Sequence, residues 1–389
     1  MEQPSAQPFV YLLPERIDTN NAHELEAALS ALFDRCAGGL VLDASQLQYI
    51  SSAGLRVILK CAKNVSSIEV REASPDVYDV FDMTGIATLI PVSRALRSMS
   101  VEGLQRIGGG VQGTVWRVDD ERVLKVYHAR SNPPEKVARE KEVSRQAFIH
   151  GVPCAMTFDM VHVGDELGIV YELVDARTVG EVVAASPERA TEMGERMGTL
   201  LRELHATRFE EGLLPDARDG LRKWAGFAER DGLFPASTVR AMYDVIDAIT
   251  DGDTFVHGDF HPGNIMLSED ELVLIDLGDA SVGDPLVDLL ASYQLMQLIC
   301  RVPGGAERYT GMQPAQLNEV WAAFARTYFG NPNADELHAI EAKLQFHALL
   351  RSMGAIGFSD TVPDEKRAER AMFLNNVFLQ GYEVFGPKA

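Results

Sequence analysis

The stretch from Val256 to Leu277, VHGDFHPGNIMLSEDELVLIDL, constrains the fold of this chain most strongly. It carries His257, Asp259 and Asn264 in the order H-x-D-x-x-x-x-N, and a later apolar run leads to Asp276. The polar turn before that run predicts a β-hairpin, which would bring Asn264 and Asp276 together. Carboxylate and amide oxygens are ligands that suit magnesium. The alternative is a polar hairpin whose Asp, Asn and Gly residues only form turns.

A glycine-rich segment lies earlier in the chain and has the pattern G-x-G-x-x-G-x-V, with its glycines at Gly108, Gly110 and Gly113. Two runs of β-branched and apolar residues follow, Thr114 to Val118 and Val123 to Tyr127, separated by a polar turn. A dinucleotide-binding loop would open into a helix. This pattern instead predicts a hairpin with glycines in its first turn, as in a loop that covers nucleotide phosphates.

Lys125 lies between apolar neighbours in the second of these strands, although lysine is uncommon in strands. The order of the motifs favours a lysine that pairs with ATP phosphates over a surface lysine. A helix predicted from Pro134 to His150 should supply a glutamate that holds this lysine. Glu140 is the first candidate and Glu142 the alternative. The strand GIVYELV would end in a hinge that holds adenine through backbone groups between Glu172 and Val174.

Together these residues predict phosphoryl transfer, in which Mg²⁺ neutralises the phosphate charge and Asp259 orients the attacking hydroxyl. The sequence HGDFHPGN resembles the aminoglycoside phosphotransferase and choline kinase group of the protein-kinase-like superfamily. The resemblance implies an α+β two-lobed domain over residues 103–389, with a small lobe to about 173 and a helical lobe beyond. It also implies that Asp259 is the catalytic base, that Asn264 and Asp276 bind magnesium, and that Lys125 binds phosphate.

The first 96 residues alternate strand and helix patterns and predict a separate α/β domain. A helix is expected from Asn21 to Phe33, where Asn21 and Glu24 have capping-box spacing. The segments LDASQLQYISSAGLRVIL and VYDVFDMTGI resemble the STAS domain of bacterial anti-sigma factor antagonists. That resemblance implies a regulatory phosphorylation site at Ser52, preceded by Ser51 where the family often has Asp. Alternatively, both serines only cap a helix.

Composition narrows the range of partners. Lys and Arg number 36 against 57 Asp and Glu, so the formal net charge is −21. This acidity argues against a general nucleic-acid binder, which needs clustered basic residues. No apolar stretch is long enough for a membrane helix, and no signal peptide is evident, so we expect no membrane partner and a cytoplasmic location. The four cysteines have no paired spacing, which argues against a disulfide framework or a zinc site.

Two acceptors remain open for the predicted ATP- and Mg²⁺-dependent kinase. Only a few residues separate Asp276 from Asp284-Pro285, too few for the peptide-presenting loop of a protein kinase, which favours a small-molecule acceptor. The fusion to a STAS-like domain favours Ser52, in the same chain or in a partner. A different class of function is a non-catalytic regulator that senses nucleotide and binds an anti-sigma-type partner. The presence of all four motif residues argues against such a non-catalytic regulator: Lys125, Asp259, Asn264 and Asp276.

Overall fold

The chain divides into two compact units, residues 1–99 and residues 100–389. The computed structural model describes residues 8–33, 36, 39–110, 112–129, 132–210, 212–357 and 364–387. Val111 of the glycine-rich segment lies outside the described residues, as do residues 1–7, 358–363 and 388–389 of the two expected domains.

The first unit alternates strands and helices, which confirms the predicted α/β class. Its elements are β1 (Phe9–Leu12), β2 (Arg16–Ile17), α1 (Ala22–Ser30), β3 (Leu40–Asp43), β4 (Tyr49–Ile50), α2 (Ser52–Ala62), β5 (Ile68–Ala73), α3 (Pro75–Met83), β6 (Val92–Arg94) and β7 (Arg97–Ser98). Four strands form a parallel sheet in the order β1-β3-β5-β6. Apolar side chains of the strands and helices, such as Leu42, Ile58 and Phe81, share one buried core.

The first helix differs from its prediction in both length and cap. Helix α1 ends at Ser30 rather than at Phe33, and Asn21 at its N-cap makes no capping hydrogen bond. The Asn21 amide instead accepts from the backbone N–H of Asp18 (2.8 Å) and donates to the carbonyl of Arg16 (2.7 Å). The predicted capping box is therefore wrong, because the preceding turn uses both ends of this amide.

Helix α2 begins at the two serines singled out in the sequence. Ser51 takes the N-cap position with extended backbone (φ −91°, ψ 171°), but its side chain makes no capping hydrogen bond. The Ser51 hydroxyl is buried and has no partner among the described residues, whereas Ser52 is exposed. Ser52 thus lies at a helix N-terminus, where the first backbone N–H groups have no intrahelical acceptor.

Gly54 allows α2 to pack closely against the short strands β2 and β4. A Cβ atom at this position would lie 2.4 Å from Cγ2 of Ile17 and 2.9 Å from Cγ1 of Ile50. We expect Gly54→Ala to destabilise the first unit by about 1–2 kcal/mol, because overpacking outweighs the gain in helix propensity. Faster amide hydrogen exchange in β3 would report this loss, and unchanged exchange would contradict it. Gly220→Ala, where nothing lies within 4 Å of the added methyl, is the control.

The small lobe of the second unit is a sheet flanked by one long helix. Its elements are β8 (Gln105–Gly109), β9 (Gly113–Arg117), β10 (Arg122–Tyr127), α4 (Pro134–Ile149), β11 (Thr157–Val163) and β12 (Glu166–Glu172). These five strands are antiparallel in the order β11-β12-β10-β9-β8. The predicted hairpin is present, with Lys125 opposite Val115 across β9 and β10.

The large lobe is mostly helical and completes the α+β two-lobed fold predicted for this part of the chain. Its elements are β13 (Arg177–Thr178), α5 (Val179–Ala185), α6 (Ala190–Leu204), α7 (Ala217–Asp231), α8 (Ala236–Asp247), β14 (Thr254–Val256), β15 (Ile265–Ser268), β16 (Glu271–Leu274), β17 (Ser281–Gly283), α9 (Leu286–Tyr293), α10 (Gly305–Thr310), α11 (Pro314–Tyr328), α12 (Ala334–Ala355) and α13 (Arg367–Phe385). Its largest hydrophobic core lies among these helices. Two short antiparallel pairs, the β15–β16 hairpin and β14 with β17, flank the polar motif residues.

Candidate active site

The loop between β14 and β15 carries Asp259 and is held in place by Asp288 in the first turn of α9. The Asp288 side chain is fully buried and accepts the backbone N–H groups of His257 (2.8 Å) and Gly258 (2.6 Å). The imidazole of His205 lies 3.2 Å from the same carboxylate. Buried His257 contacts the carbonyl of Ile275 through Nε2 (3.2 Å). These contacts fix the loop backbone without using the Asp259 side chain.

Both carboxylate oxygens of Asp259 accept hydrogen bonds. Its Oδ1 lies 2.8 Å from Nη2 of Arg351, and its Oδ2 accepts from Nδ2 of Asn264 (3.1 Å). The Nε2 atom of His261 is 3.6 Å from Oδ2. Burial alone would raise the pKa of Asp259, but the nearby His261 imidazole and the charge of Arg351 hold it well below its usual range. The side chain is 29% exposed, so the carboxylate remains accessible to a ligand.

Asn264 and Asp276 flank the open end of the β15–β16 hairpin, one on each strand side. Ile265 pairs with Leu274, and the N–H of Ile275 donates to the carbonyl of Asn264 (3.0 Å). The Asn264 amide nitrogen also donates to the carbonyl of Asp259 (3.0 Å). Its amide oxygen has no hydrogen-bond donor among the described residues and is left for another ligand. Asp276 adopts the left-handed region (φ 59°, ψ 64°), which is uncommon for a residue other than glycine and is often found at functional sites.

Lys125 links the two lobes through a pair of carboxylates. Its Nζ atom lies 2.8 Å from Oε1 of Glu140 on α4 and 2.9 Å from Oδ1 of Asp276. Burial lowers the pKa of Lys125, but Asp276 and Glu140 outweigh that effect and raise it above its usual range. Of the two glutamate candidates, the structure places Glu140 at the lysine and pairs Glu142 with Arg145 (2.6 Å).

Two tyrosines that the sequence interpretation missed complete the surroundings of Glu140. The hydroxyls of Tyr127 and Tyr171 donate to Oε1 of Glu140 at 2.6 and 3.0 Å. Burial, reinforced by nearby negative charge, raises the pKa of both phenols, so both remain donors. Tyr127 stands two residues after Lys125 in the same strand, and the period-two alternation of side chains was the available signal.

The three motif glycines have different surroundings. A Cβ atom at Gly113 would lie 2.2 Å from the carbonyl oxygen of Val126, so glycine is needed there for strand packing. At Gly108 the nearest atom, in Val115, would be 3.6 Å away, an ordinary contact. At Gly110 nothing lies within 4 Å, and its N–H donates to the carbonyl of Gly113 (2.9 Å). Gly110 therefore leaves open space at the turn between β8 and β9.

The predicted hinge follows β12. The N–H of Glu172 donates to the carbonyl of Met156 (2.8 Å), and that of Leu173 donates to the carbonyl of Glu121 (2.7 Å). The N–H of Val174 has no acceptor among the described residues. An adenine base could take that donor, whereas the two preceding N–H groups are already used.

The remaining residue that sequence reasoning missed is Arg351, far along the chain on α12. The only signal was an arginine inside the apolar run ALLRSMGA. Ser52 belongs to the first unit, and the other candidate residues belong to the second.

A magnesium ion would need oxygen ligands beyond protein carboxylates. Within the described ranges, no group of three or more His, Cys, Asp and Glu side chains is arranged to hold a metal ion. Asn264 and Asp276 supply one amide and one carboxylate oxygen. This set fits Mg²⁺, which takes few protein ligands and completes its shell with water and nucleotide phosphates.

Among the described helices, none has both the length and the apolar character required to cross a membrane.

Comparison with known proteins assigns the first unit to the STAS domain family. Residues 2–99 match the family model described as "STAS domain". The chain is 39% identical over 83 residues to "Putative anti-sigma factor antagonist BtrV" of Bordetella bronchiseptica, a match that covers 20% of this chain and 72% of that protein.

The second unit matches both a family model and solved structures. Residues 103–337 match the model described as "Phosphotransferase enzyme family". One similar solved structure is the GDP and kanamycin complex of APH(2")-IIia (15% identity, 77% of this chain, 99% of that chain, TM-score 0.47). Another is a choline/ethanolamine kinase family protein from Mesorhizobium loti (17% identity, 72% and 91%, TM-score 0.43). The family segment spans more than half of the sequence, and the chain therefore belongs to the phosphotransferase enzyme family, with a STAS domain at its N-terminus.

Proposed function

We propose that this chain is an ATP- and Mg²⁺-dependent kinase that transfers the γ-phosphoryl group to a hydroxyl. The observation that carries the proposal is the convergence of Lys125, Glu140 and Asp276 across the two lobes, beside the Asp259–Asn264 loop. If the polar residues of the hairpin only formed turns, nothing would require a nearly buried lysine to contact two carboxylates from different elements. This geometry supports phosphate binding and metal binding at one place.

The nucleotide would lie between the lobes. The free N–H of Val174 would bind the adenine edge, and the open turn at Gly110 would cover the phosphates. Lys125 would donate to phosphate oxygens while Glu140 holds it in place. Its raised pKa keeps the ammonium charged throughout the neutral range.

The metal would be held by Asp276 and the free amide oxygen of Asn264. When bound, Mg²⁺ neutralises charge on the phosphate oxygens and so lowers the barrier to transfer. Asp276 is 36% exposed and already faces Lys125, so it lies where phosphate and metal would meet.

Asp259 would orient the acceptor hydroxyl for attack on the γ-phosphorus. A new bond forms between the hydroxyl oxygen and phosphorus, and the bond from phosphorus to the β,γ-bridging oxygen breaks, so ADP leaves. The hydroxyl proton passes to Asp259. Since the pKa of this carboxyl is held low, the carboxylate acts mainly by orientation and accepts the proton late.

Two acceptors are compatible with this site. Residues after Asp276 form a short helical turn, Leu277–Asp279, and then β17, which pairs with β14. This segment is thus committed to the fold and offers no long loop for a peptide, which favours a small molecule. Ser52 is the protein alternative, because its exposed position at the start of α2 would stabilise an added phosphate through backbone N–H groups.

The STAS domain suggests a protein partner of the anti-sigma type. Phosphate on Ser52 would add negative charge to the surface around α2 and could switch such an interface. We place this activity in the cytoplasm, without a nucleic-acid or membrane partner, in keeping with the net charge of −21.

Labelled ATP distinguishes the acceptors. The full chain is incubated with γ-labelled ATP and Mg²⁺, alone and with aminoglycosides, choline or other small alcohols, and the label is mapped by mass spectrometry. Label on Ser52 that is lost in Ser52→Ala supports the protein acceptor, and label on an added compound supports the small-molecule acceptor. Nucleotide binding without transfer or hydrolysis would overturn the kinase and favour a nucleotide-sensing regulator.

A further inference from the structure

Arg351 is a buried charge that lies beyond the end of the family match. The match ends at residue 337, within α12, and Arg351 lies near the C-terminal end of that helix. Its side chain is only 8% exposed. An arginine this buried needs partners that compensate for the loss of water.

The partners of Arg351 are two consecutive residues of the loop that carries Asp259. Nη2 donates to Oδ1 of Asp259 (2.8 Å), and Nη1 donates to the carbonyl of Gly258 (2.6 Å). The guanidinium also lies 5.3 Å from the ring centroid of Trp224 on α7. Both arms of the guanidinium therefore fix the position of one side chain and of the backbone just before it.

The packing of α12 against α7 determines where Arg351 lies. A Cβ atom at Gly354 would lie 2.3 Å from the carbonyl oxygen of Trp224, so the two helices touch through backbone at this point. Ser352 accepts a hydrogen bond from the amide of Gln294 (3.2 Å), which adds a second anchor beyond α9. Arg351 is thus held in place by the packing of α12, and it contacts the Asp259 loop from outside the sequence motif that contains this loop.

We propose that Arg351 is a positioning residue for phosphoryl transfer, which holds the Asp259 carboxylate in its reactive orientation. With Oδ1 bound to Arg351, the carboxylate cannot rotate, and Oδ2 remains on the side of Asn264, where the acceptor hydroxyl would approach. The part of α12 beyond residue 337 then contributes to the catalytic machinery rather than only to the hydrophobic core. This inference rests on the proposed kinase activity.

The test compares Arg351→Met, which removes the charge at similar length, with Arg351→Lys, which keeps the charge but has no second arm. ATP turnover by the full chain, as transfer or hydrolysis, should fall about 10- to 100-fold in kcat for Arg351→Met, with the KM for ATP nearly unchanged. The kcat of Arg351→Lys should lie between that of Arg351→Met and that of the wild type. In an Asp259→Asn background, Arg351→Met should cause little further loss, because the two residues act as a unit.

Arg222→Met is the matched control. Arg222 also bridges carboxylates, Asp219 (3.1 Å) and Asp247 (2.8 Å), but on the exposed surface of α7 and α8. The Arg222→Met substitution should leave ATP turnover unchanged. A purely structural role for Arg351 predicts equal further losses in both backgrounds and a parallel loss of Mg·ADP affinity, and either result would overturn the proposal.

A carboxyl ¹³C spectrum gives a readout that does not depend on turnover. In protein labelled with ¹³C at the aspartate carboxyls, the Asp259 signal is assigned from its absence in Asp259→Asn. At neutral pH this signal should change position in Arg351→Met, because Oδ1 loses its hydrogen-bond partner, and it should stay in place in Arg222→Met. An unmoved signal in Arg351→Met refutes the proposal even if the wild-type chain shows no turnover, a result that would count against the kinase itself.

Discussion

Asp259→Asn is expected to lower the rate of phosphoryl transfer by about 10²–10⁴-fold while Mg·ADP still binds. The substitution keeps the shape of the side chain but removes the negative charge and the proton acceptor. Lys125, Asp276 and the N–H of Val174 are untouched, so nucleotide affinity should remain close to that of the wild type. Transfer to the acceptor identified by labelling gives kcat, and calorimetry gives the Kd of Mg·ADP.

The same substitution should also reduce stability. The guanidinium of Arg351 would face a neutral amide in place of a carboxylate 2.8 Å away. Leaving a buried charge less well paired costs about 1–3 kcal/mol. Chemical denaturation at a temperature where Asp259→Asn remains folded separates this effect from the loss of rate.

Asp253→Asn is the isosteric control for this experiment. Asp253 lies just before β14 and pairs with Arg208 (2.7 Å), but both side chains are well exposed. An exposed ion pair contributes about 0–1 kcal/mol, so neither rate nor stability should change much. Full transfer activity in Asp259→Asn would contradict the role proposed for this carboxylate.

The order of local motifs made much of the candidate active site predictable from sequence. Hairpin turns and apolar alternation determine which residues are adjacent, so the placing of Asn264 and Asp276 at the same end of the β15–β16 hairpin followed from the local pattern. The choice between Glu140 and Glu142 was harder, because two residues along a helix point to different sides. Only the packing of α4 against the sheet places Glu140, rather than Glu142, at Lys125.

The residues that escaped prediction depend on tertiary packing. Arg351 is 92 positions from Asp259, and nothing in the local pattern of α12 indicates where that helix will pack. The predicted capping box at Asn21 was wrong for a related reason, because the Asn21 amide has a competing partner in the turn before α1. Local patterns identify which groups are available, whereas packing decides which partner each group receives.

Lys125→Met should lower the affinity for Mg·ATP by about 10- to 100-fold. The ammonium would donate a charge-assisted hydrogen bond to phosphate, and such a bond contributes about 1.5–3 kcal/mol. The variant should also unfold more easily, because it leaves the Glu140 carboxylate, 1% exposed, without its cation. Breaking a buried ion pair costs about 3–5 kcal/mol, and the lower end applies here, since the lysine retains some exposure and Tyr127 and Tyr171 still donate to Glu140.

A second substitution separates the two effects of losing Lys125. Glu140→Gln removes the stranded charge but keeps an oxygen that can accept from the two tyrosines. The double variant Lys125→Met/Glu140→Gln should therefore recover stability without recovering nucleotide affinity. Lys60→Met removes a lysine from an exposed pair with Glu26 and should change neither quantity, which makes it the control. If the double variant regained wild-type affinity for Mg·ATP, Lys125 would only brace α4 and would not bind phosphate.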